Sequence, residues 1–328
     1  MQNRRRSITI IVIIVALAVL VGAGLYFASS KQTSLSNPDQ QPGVVSSVSE
    51  TSSDESAASE KADSPQSTAT TGPPQDQLSI TNLYVGKADC AVIEYAGSVG
   101  MIDAGTMESY DLINEFLRER GISKIDYLIL THYDKDHIGG SIPLLSDYNC
   151  ESIYLADYVS QKQYYPELMA IVQQRDKVYF VNEPISLSQG MLSLEIIPAD
   201  EPASLLEKPD NFDNNMSLVT MMTFGLRKFL FTGDIEKDRI AQMLSLHNDL
   251  TADWIKMPHH GDYQKKVAQL LEAVLPKYAV ITTSSERPPD EKLITLLKED
   301  NILTYDTMSS NVYTLCDGRE ISVTRGEP

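Results

Sequence analysis

Apolar positions fall into three regimes along this 328-residue chain. From Ile8 to Ala28 they form one run of 21 residues without a charge, long enough for a helix to cross the hydrocarbon core of a bilayer. From 29 to 77 they are sparse, scattered among Ser, Thr, Pro, Gln, Asp and Glu. From 78 onward they come in short runs of strand length, alternating with amphipathic stretches. The runs at 78–85, 91–95, 99–102, 127–130, 152–155, 178–181 and 192–197 predict strands. A helix is expected over 108–120, with Leu112, Ile113, Phe116 and Leu117 on one face and Gly121 as its stop. A second helix is expected over 161–174. The pattern then restarts. A hairpin over 217–224 and 228–231 turns at Gly225, followed by a helix at 235–245, a strand at 254–257 and a helix at 263–275. A strand at 278–282, a helix at 290–298 and short closing strands to 323 complete it. Strands in runs with interspersed helices, in two similar halves, predict an α/β fold of two sheets packed together with helices outside.

The first two regimes set the expected organisation. Arg4, Arg5 and Arg6 precede the apolar run, so residues 1–7 are expected to be a cytoplasmic basic tail and 8–28 a single-pass transmembrane anchor. A cleaved signal peptide is the rival, but the run is long for a signal core and Tyr26-Phe27-Ala28 is a poor cleavage site. Ser and Thr fill 18 of the 49 positions in 29–77, with no aromatic residue. Such a composition cannot bury enough surface to offset chain entropy and reads as a disordered linker. As a coil it spans roughly 40 Å root-mean-square. Residues 78–328 are left as one extracytoplasmic domain at the cell membrane.

Charge narrows the function of that domain. It carries 38 acidic and 22 basic residues, a formal charge of −16. Counterion release needs Lys and Arg, so a high-affinity, non-specific nucleic-acid binder is excluded. Cys90, Cys150 and Cys316 are an odd number at no metal spacing and read as buried apolar fillers.

The chemistry concentrates at strand ends. Directly after the apolar 127–130 run comes Thr131-His132-Tyr133-Asp134-Lys135-Asp136-His137-Ile138-Gly139-Gly140. Carboxylates this close repel one another, and a bound cation turns that repulsion into binding. Two later apolar strands end similarly, in Phe231-Thr232-Gly233-Asp234 and in Pro258-His259-His260-Gly261. Four of the five histidines sit at these ends; the fifth, His247, reads as the C-terminal cap of a helix. Together the clusters offer six to seven ligands. That number suits two divalent ions about 3.5–4 Å apart, bridged by a carboxylate and a hydroxide.

These motifs resemble those of the metallo-β-lactamase-fold hydrolases. The variant is specific: Asp134 stands where most members have a second histidine, and Asn214-Asn215-Met216-Ser217-Leu218-Val219 stands where most have their third histidine motif. Both replacements, with His-His-Gly, are similar to the soluble domain of ComEC-type DNA-uptake proteins and their stand-alone relatives. Val85-Gly86-Lys87-Ala88-Asp89 is close to that group's Val-Gly-Gln-Gly-Asp, with Ala88 in place of a glycine. The resemblance implies an αββα sandwich of the metallo-β-lactamase type. The multi-helix channel of ComEC has no counterpart in this sequence.

By that resemblance His132 and Asp134 hold one ion. Asp136, His137 and one histidine of the pair hold the second, and Asp234 bridges them. Either His259 or His260 serves as ligand; His260 is favoured, with His259 donating to a substrate oxyanion. Asn214 or Asn215 completes the first site or meets substrate. A carboxylate in place of an imidazole hardens the ligand set, so Mn²⁺ stands beside Zn²⁺. The hydroxide is the nucleophile and Asp136 orients it. Asp89 and Asp103 are read as organising backbone.

The expected activity is metal-dependent hydrolysis of a phosphodiester, nucleic acid among the candidates. Two alternatives stay open. One is a hydrolase of a non-nucleotide ester or amide of the choline-phosphate, thioester or β-lactam type. The other is a non-catalytic metal-binding scaffold. No protein partner is inferable.

Overall fold

A computed structural model describes residues 76–206 and 211–326. The expected tail at 1–7, anchor at 8–28 and most of the linker lie outside these residues. Among the described residues no helix is long and apolar enough to cross a membrane.

The strands of the first half are β1 (Leu78–Asn82), β2 (Ala91–Tyr95), β3 (Ser98–Ile102), β4 (Lys124–Leu130), β5 (Asn149–Ala156) and β6 (Val178–Val181). Next come β7 (Ile185–Gln189), β8 (Leu192–Ile197), β9 (Val219–Phe224), β10 (Arg227–Phe231), β11 (Trp254–Lys256), β12 (Tyr278–Ile281) and β13 (Leu303–Asp306). The chain closes with β14 (Val312–Cys316) and β15 (Ile321–Arg325). Eight strands form one sheet in the order β15-β14-β1-β2-β3-β4-β5-β6, and seven form the other, β13-β12-β11-β10-β9-β8-β7. The two halves are therefore not self-contained: β14 returns to the first sheet and pairs with β1, Leu78 opposite Cys316.

The apolar pattern explains the layers. Along β4, Leu128 and Leu130 pack outward with Ile113, Leu117, Leu144 and Leu168 of the covering helices, while Ile129 faces the other sheet. A strand buried on both faces reads as a continuous apolar run, which is how β4, β10 and β12 appear. Between the sheets lie Ile80, Ile93 and Ile129 of the first with Phe229, Phe231, Trp254 and Val280 of the second. A third layer packs Leu230, Ile255 and Ile281 with Ile240, Leu270 and Leu297 from helices on the far side. The result is a mixed α/β sandwich of two sheets between two helical layers.

Trp254 is wholly buried at the centre, its ring centroid 5.0 Å from that of Phe231. Trp254→Ala is expected to cost about 3–5 kcal/mol through lost contacts and a cavity, read as a lower urea midpoint with an unchanged slope.

Sequence and structure part company at short elements. Within Thr131–Gly140, Lys135–Ile138 is a helical turn, followed directly by a helix over Ser141–Asp147. The expected 161–174 helix spans only Tyr165–Val172. His247 is, as its position implies, the C-cap of the helix Lys237–Leu246, and its Nε2 lies 3.1 Å from Asp200. The three cysteines are free and buried.

Candidate metal centre

Five strand ends converge on one point. β3 delivers Asp103, β4 delivers Thr131 and His132, β10 leads to Asp234, β11 to His259 and His260, and β12 to Thr282. β3 and β4 run parallel, as do β10, β11 and β12. Carboxyl ends of parallel strands are where α/β sheets place ligands.

Glycines make the first turn possible. A β-carbon on Gly139 or Gly140 would meet the backbone of Lys135, Ala104 or Met107. Their absence lets the 135–140 turn lie against the 103–107 loop, where Ala104 donates to the His137 carbonyl at 2.8 Å. That contact brings Asp103 to His137. The His-His turn is built differently. His259 and His260 both adopt left-handed backbone, φ 47° and 53°. Side chains rarely accept that conformation, and strain of this kind clusters at functional sites.

Three buried imidazoles share one arrangement: Nδ1 meets an oxygen and Nε2 is left without a hydrogen bond. His137 Nδ1 donates to Asp103 at 2.7 Å, and His260 Nδ1 donates to the Thr282 carbonyl at 2.9 Å. His132 Nδ1 lies 3.1 Å from the Thr131 hydroxyl and 3.2 Å from that of Ser217. All three Nε2 atoms are buried and lack a partner in hydrogen-bond geometry. Those of His137 and His260 face carboxylates all the same. Asp234 Oδ2 is 3.1 Å from His137 Nε2 and 3.2 Å from His260 Nε2, and Asp136 Oδ2 is 3.3 Å from His260 Nε2. Among the described residues, ligand atoms of His132, His137 and Asp234, of Asp136, His137 and His260, and of Asp89, Asp234 and His260 lie within 4.8 Å of one another. Orphaned imidazole nitrogens fixed from behind, with carboxylates closing on the same space, are what a divalent cation requires.

The field there favours positive charge. Burial works against a charged His137 and a charged His260, yet Asp234 with Asp103 or Asp89 holds both well above the ordinary histidine range. His132 moves the other way, pushed down by burial and by His137. Burial also opposes the Asp234 anion, but His137, His260 and Lys256 hold it well below the usual carboxylate range.

The sequence pattern of the Metallo-beta-lactamase superfamily matches residues 83–205, the segment that carries the His132–His137 turn. The domain resembles this superfamily. Its relatives include ComE operon protein 3 of Bacillus subtilis (strain 168), 28% identical over 193 residues, covering 57% of this chain and 24% of that protein. Competence protein ComA of Neisseria gonorrhoeae is 23% identical over 215 residues, covering 64% of this chain and 28% of that protein. Endoribonuclease ysh1 of Schizosaccharomyces pombe is 35% identical over 75 residues, covering 21% and 10%. This chain thus spans 24% and 28% of the length of the two competence proteins. It carries the metallo-β-lactamase pattern and is a relative of the ComEC-type competence proteins.

Within this metallo-β-lactamase fold, the residues singled out from sequence separate into groups. His132, Asp136, His137, Asp234 and His260 come together. His259 does not join them. Its side chain is 26% exposed at the rim, with Nδ1 3.6 Å from Glu236 and Nε2 3.8 Å from Asp262. Asp134 also stays outside every cluster of ligand atoms found among the described residues. It precedes the 135–138 turn, and its Oδ1 lies 2.6 Å from the Lys162 ammonium. Asn215, expected to meet substrate or ion, is corrected. Its oxygen accepts from the backbone N–H groups of Glu236 and Arg239 at 3.0 and 3.1 Å, and its nitrogen donates to Asn211. The oxygen end of that amide starts the helix Lys237–Leu246, and the nitrogen end ties back to the turn that carries Asn215. Asn214 donates to Glu236 at 2.9 Å, beside His259.

Sequence reasoning undervalued three groups. Asp103 does organise backbone, accepting from the Thr131 N–H at 2.8 Å, but it also orients His137. Asp89 faces His260 Nδ1 at 3.3 Å and pairs with Lys256. Lys256 is 3% exposed, donates to the Gly233 carbonyl at 3.0 Å and sits 3.3 Å from Asp234 Oδ1. A lone charge in the apolar run Trp254-Ile255-Lys256-Met257 was the available signal. Asp103→Ala is expected to weaken divalent-ion binding about 10–100-fold, because the His137 ring loses its orienting partner. Isothermal titration on protein of unchanged circular dichroism checks this.

Proposed function

We propose that this chain hydrolyses phosphodiester bonds, in nucleic acid or another phosphodiester, at a two-ion centre of Zn²⁺ or Mn²⁺ held outside the cell by the 8–28 anchor. The observation that carries the reading is the set of three orphaned Nε2 atoms closing on Asp136 and Asp234. His132, His137, Asp234, Asp136 and His260 would hold the ions, with Asp134 reaching the first. When bound, the ions supply a water acidified to near neutral pH and positive charge for the phosphoryl oxygens.

The protein's own groups do the positioning. Asp103, Thr131, Ser217 and Thr282 fix the three rings, so the ligand nitrogens need no rearrangement when an ion arrives. Asp136 reaches His260 from the open side of the cluster, its side chain 27% exposed, where it can align an attacking water. His259 stands at the rim on the same turn as His260 and presents a ring N–H to a developing oxyanion. Glu236 receives the Asn214 amide and lies 3.6 Å from His259 Nδ1, keeping that ring at the mouth. The names of the relatives, two competence proteins and an endoribonuclease, favour a nucleic-acid substrate. The formal charge of −16 on residues 78–328 favours a short or small phosphodiester over a long polyanion.

The test is hydrolysis of bis(p-nitrophenyl) phosphate and of a short single-stranded oligonucleotide by the full chain with Mn²⁺ or Zn²⁺. Asp136→Ala serves as the control and is expected to lose at least about a hundredfold in rate. Turnover of a thioester, choline-phosphate ester or β-lactam, with both phosphodiesters untouched, would replace this reading with the non-nucleotide one. Retained metal without any turnover would leave a scaffold.

A further inference from the structure

Asp134 lies next to the cluster in sequence but is held by another cation. Its Oδ1 is 2.6 Å from Lys162 Nζ, and the lysine side chain is 40% exposed. The loop that carries Lys162 is pinned at several points. Lys162 N–H donates to the Ser160 hydroxyl at 3.2 Å, and Ser160 in turn donates to Asp213. The Tyr158 hydroxyl donates to the same Asp213 oxygen at 3.1 Å and accepts from the Tyr133 N–H at 3.3 Å. Tyr133 sits between His132 and Asp134. The ammonium is thus delivered to Asp134 by a loop tied to the metal-binding turn itself.

We infer that Lys162 competes with a divalent ion for Asp134, so the centre fills in two unequal steps. The inference rests on the two-ion reading above. The ligand atoms of Asp136, His137 and His260 lie together with Asp234 alongside, and no lysine approaches Asp136 closely enough to form an ion pair among the described residues. That site takes the first ion. The second ion has His132 and the shared Asp234; Asp134, which lies outside that cluster while Lys162 holds it, would join only on releasing the ammonium. A fixed positive charge on a ligand carboxylate weakens a dication twice over, by occupying the oxygen and by repelling the ion. Lys162 is part exposed, so solvent screening keeps the penalty modest. Lys162 thereby sets the metal concentration at which the centre becomes complete.

The experiment is a calorimetric titration of the chelator-stripped full chain with Mn²⁺, with bound ions counted by equilibrium dialysis. Lys162→Met is expected to leave the first step unchanged and to tighten the second by roughly three- to tenfold. Lys162→Arg, which keeps the charge, should titrate like the parent. Matching thermal midpoints of the stripped proteins establish that the loop is intact. A second step that is unchanged in Lys162→Met, or weakened because Lys162 orients Asp134 instead of competing for it, overturns the inference while leaving two ions in place. One ion per chain in both proteins overturns the two-ion reading and this inference together.

Discussion

Asp234→Ala is expected to lose hydrolysis by about a thousandfold or more, together with most bound metal. Every contact of this carboxylate points to that result. Oδ2 lies between His137 Nε2 and His260 Nε2 at 3.1 and 3.2 Å, Oδ1 faces Lys256 at 3.3 Å, and the residue is 3% exposed. Alanine removes the anion that both imidazoles face and leaves their nitrogens with less negative charge to attract an ion. A thousandfold corresponds to about 4 kcal/mol of transition-state stabilisation, within reach of one shared ligand in a buried site. Steady-state rates and metal content should be measured on the same preparation. A variant that keeps two ions and its rate would show that Asp234 is structural.

Lys256→Met is expected to destabilise the metal-free protein by about 3–5 kcal/mol. The substitution keeps the side chain's length but removes a buried charge whose partners stay. Asp89 is 5% exposed and Asp234 3% exposed, and burial pushes both carboxyls up while Lys256 and the nearby histidines hold them down. Without the ammonium, two buried anions face each other with the histidines alone to balance them. Divalent ions should restore part of the loss, because binding to the folded state adds stability by mass action. Urea unfolding with and without chelator separates the two contributions. A stripped variant as stable as the parent would mean that the histidines alone balance the carboxylates.

Much of this was legible in sequence because the relevant periods are short. Strands β4 and β10 show as apolar runs, and the turns that follow them, like the turn after β11, carry the ligands within a few residues. Asp136, His137, Asp234 and His260 could therefore be grouped by their common place at strand ends. What stayed hidden depends on contacts across the fold. Asp103 reaches His137 over 34 positions, and Lys256 reaches Asp89 across the two sheets. Asn215 looked like a ligand because it is polar and follows the family's third motif; the start of a helix 22 positions away claims it instead. The return of β14 to β1 was equally invisible, since strand pairing leaves no mark on local periodicity.

The centre draws its ligands from both sheets. His132, Asp136 and His137 follow β4 in the first, while Asp234 and His260 follow β10 and β11 in the second. A cation seated among them would act as a rivet through the sandwich, joining layers that otherwise meet through apolar side chains and a few polar ties such as Leu218 N–H to the Thr131 carbonyl. Metal uptake would then tighten a sandwich that its apolar core has already closed. In a compartment where metal is scarce, the same protein would be both idle and loose, so that supply of the ion would govern how long the molecule survives as well as how fast it works.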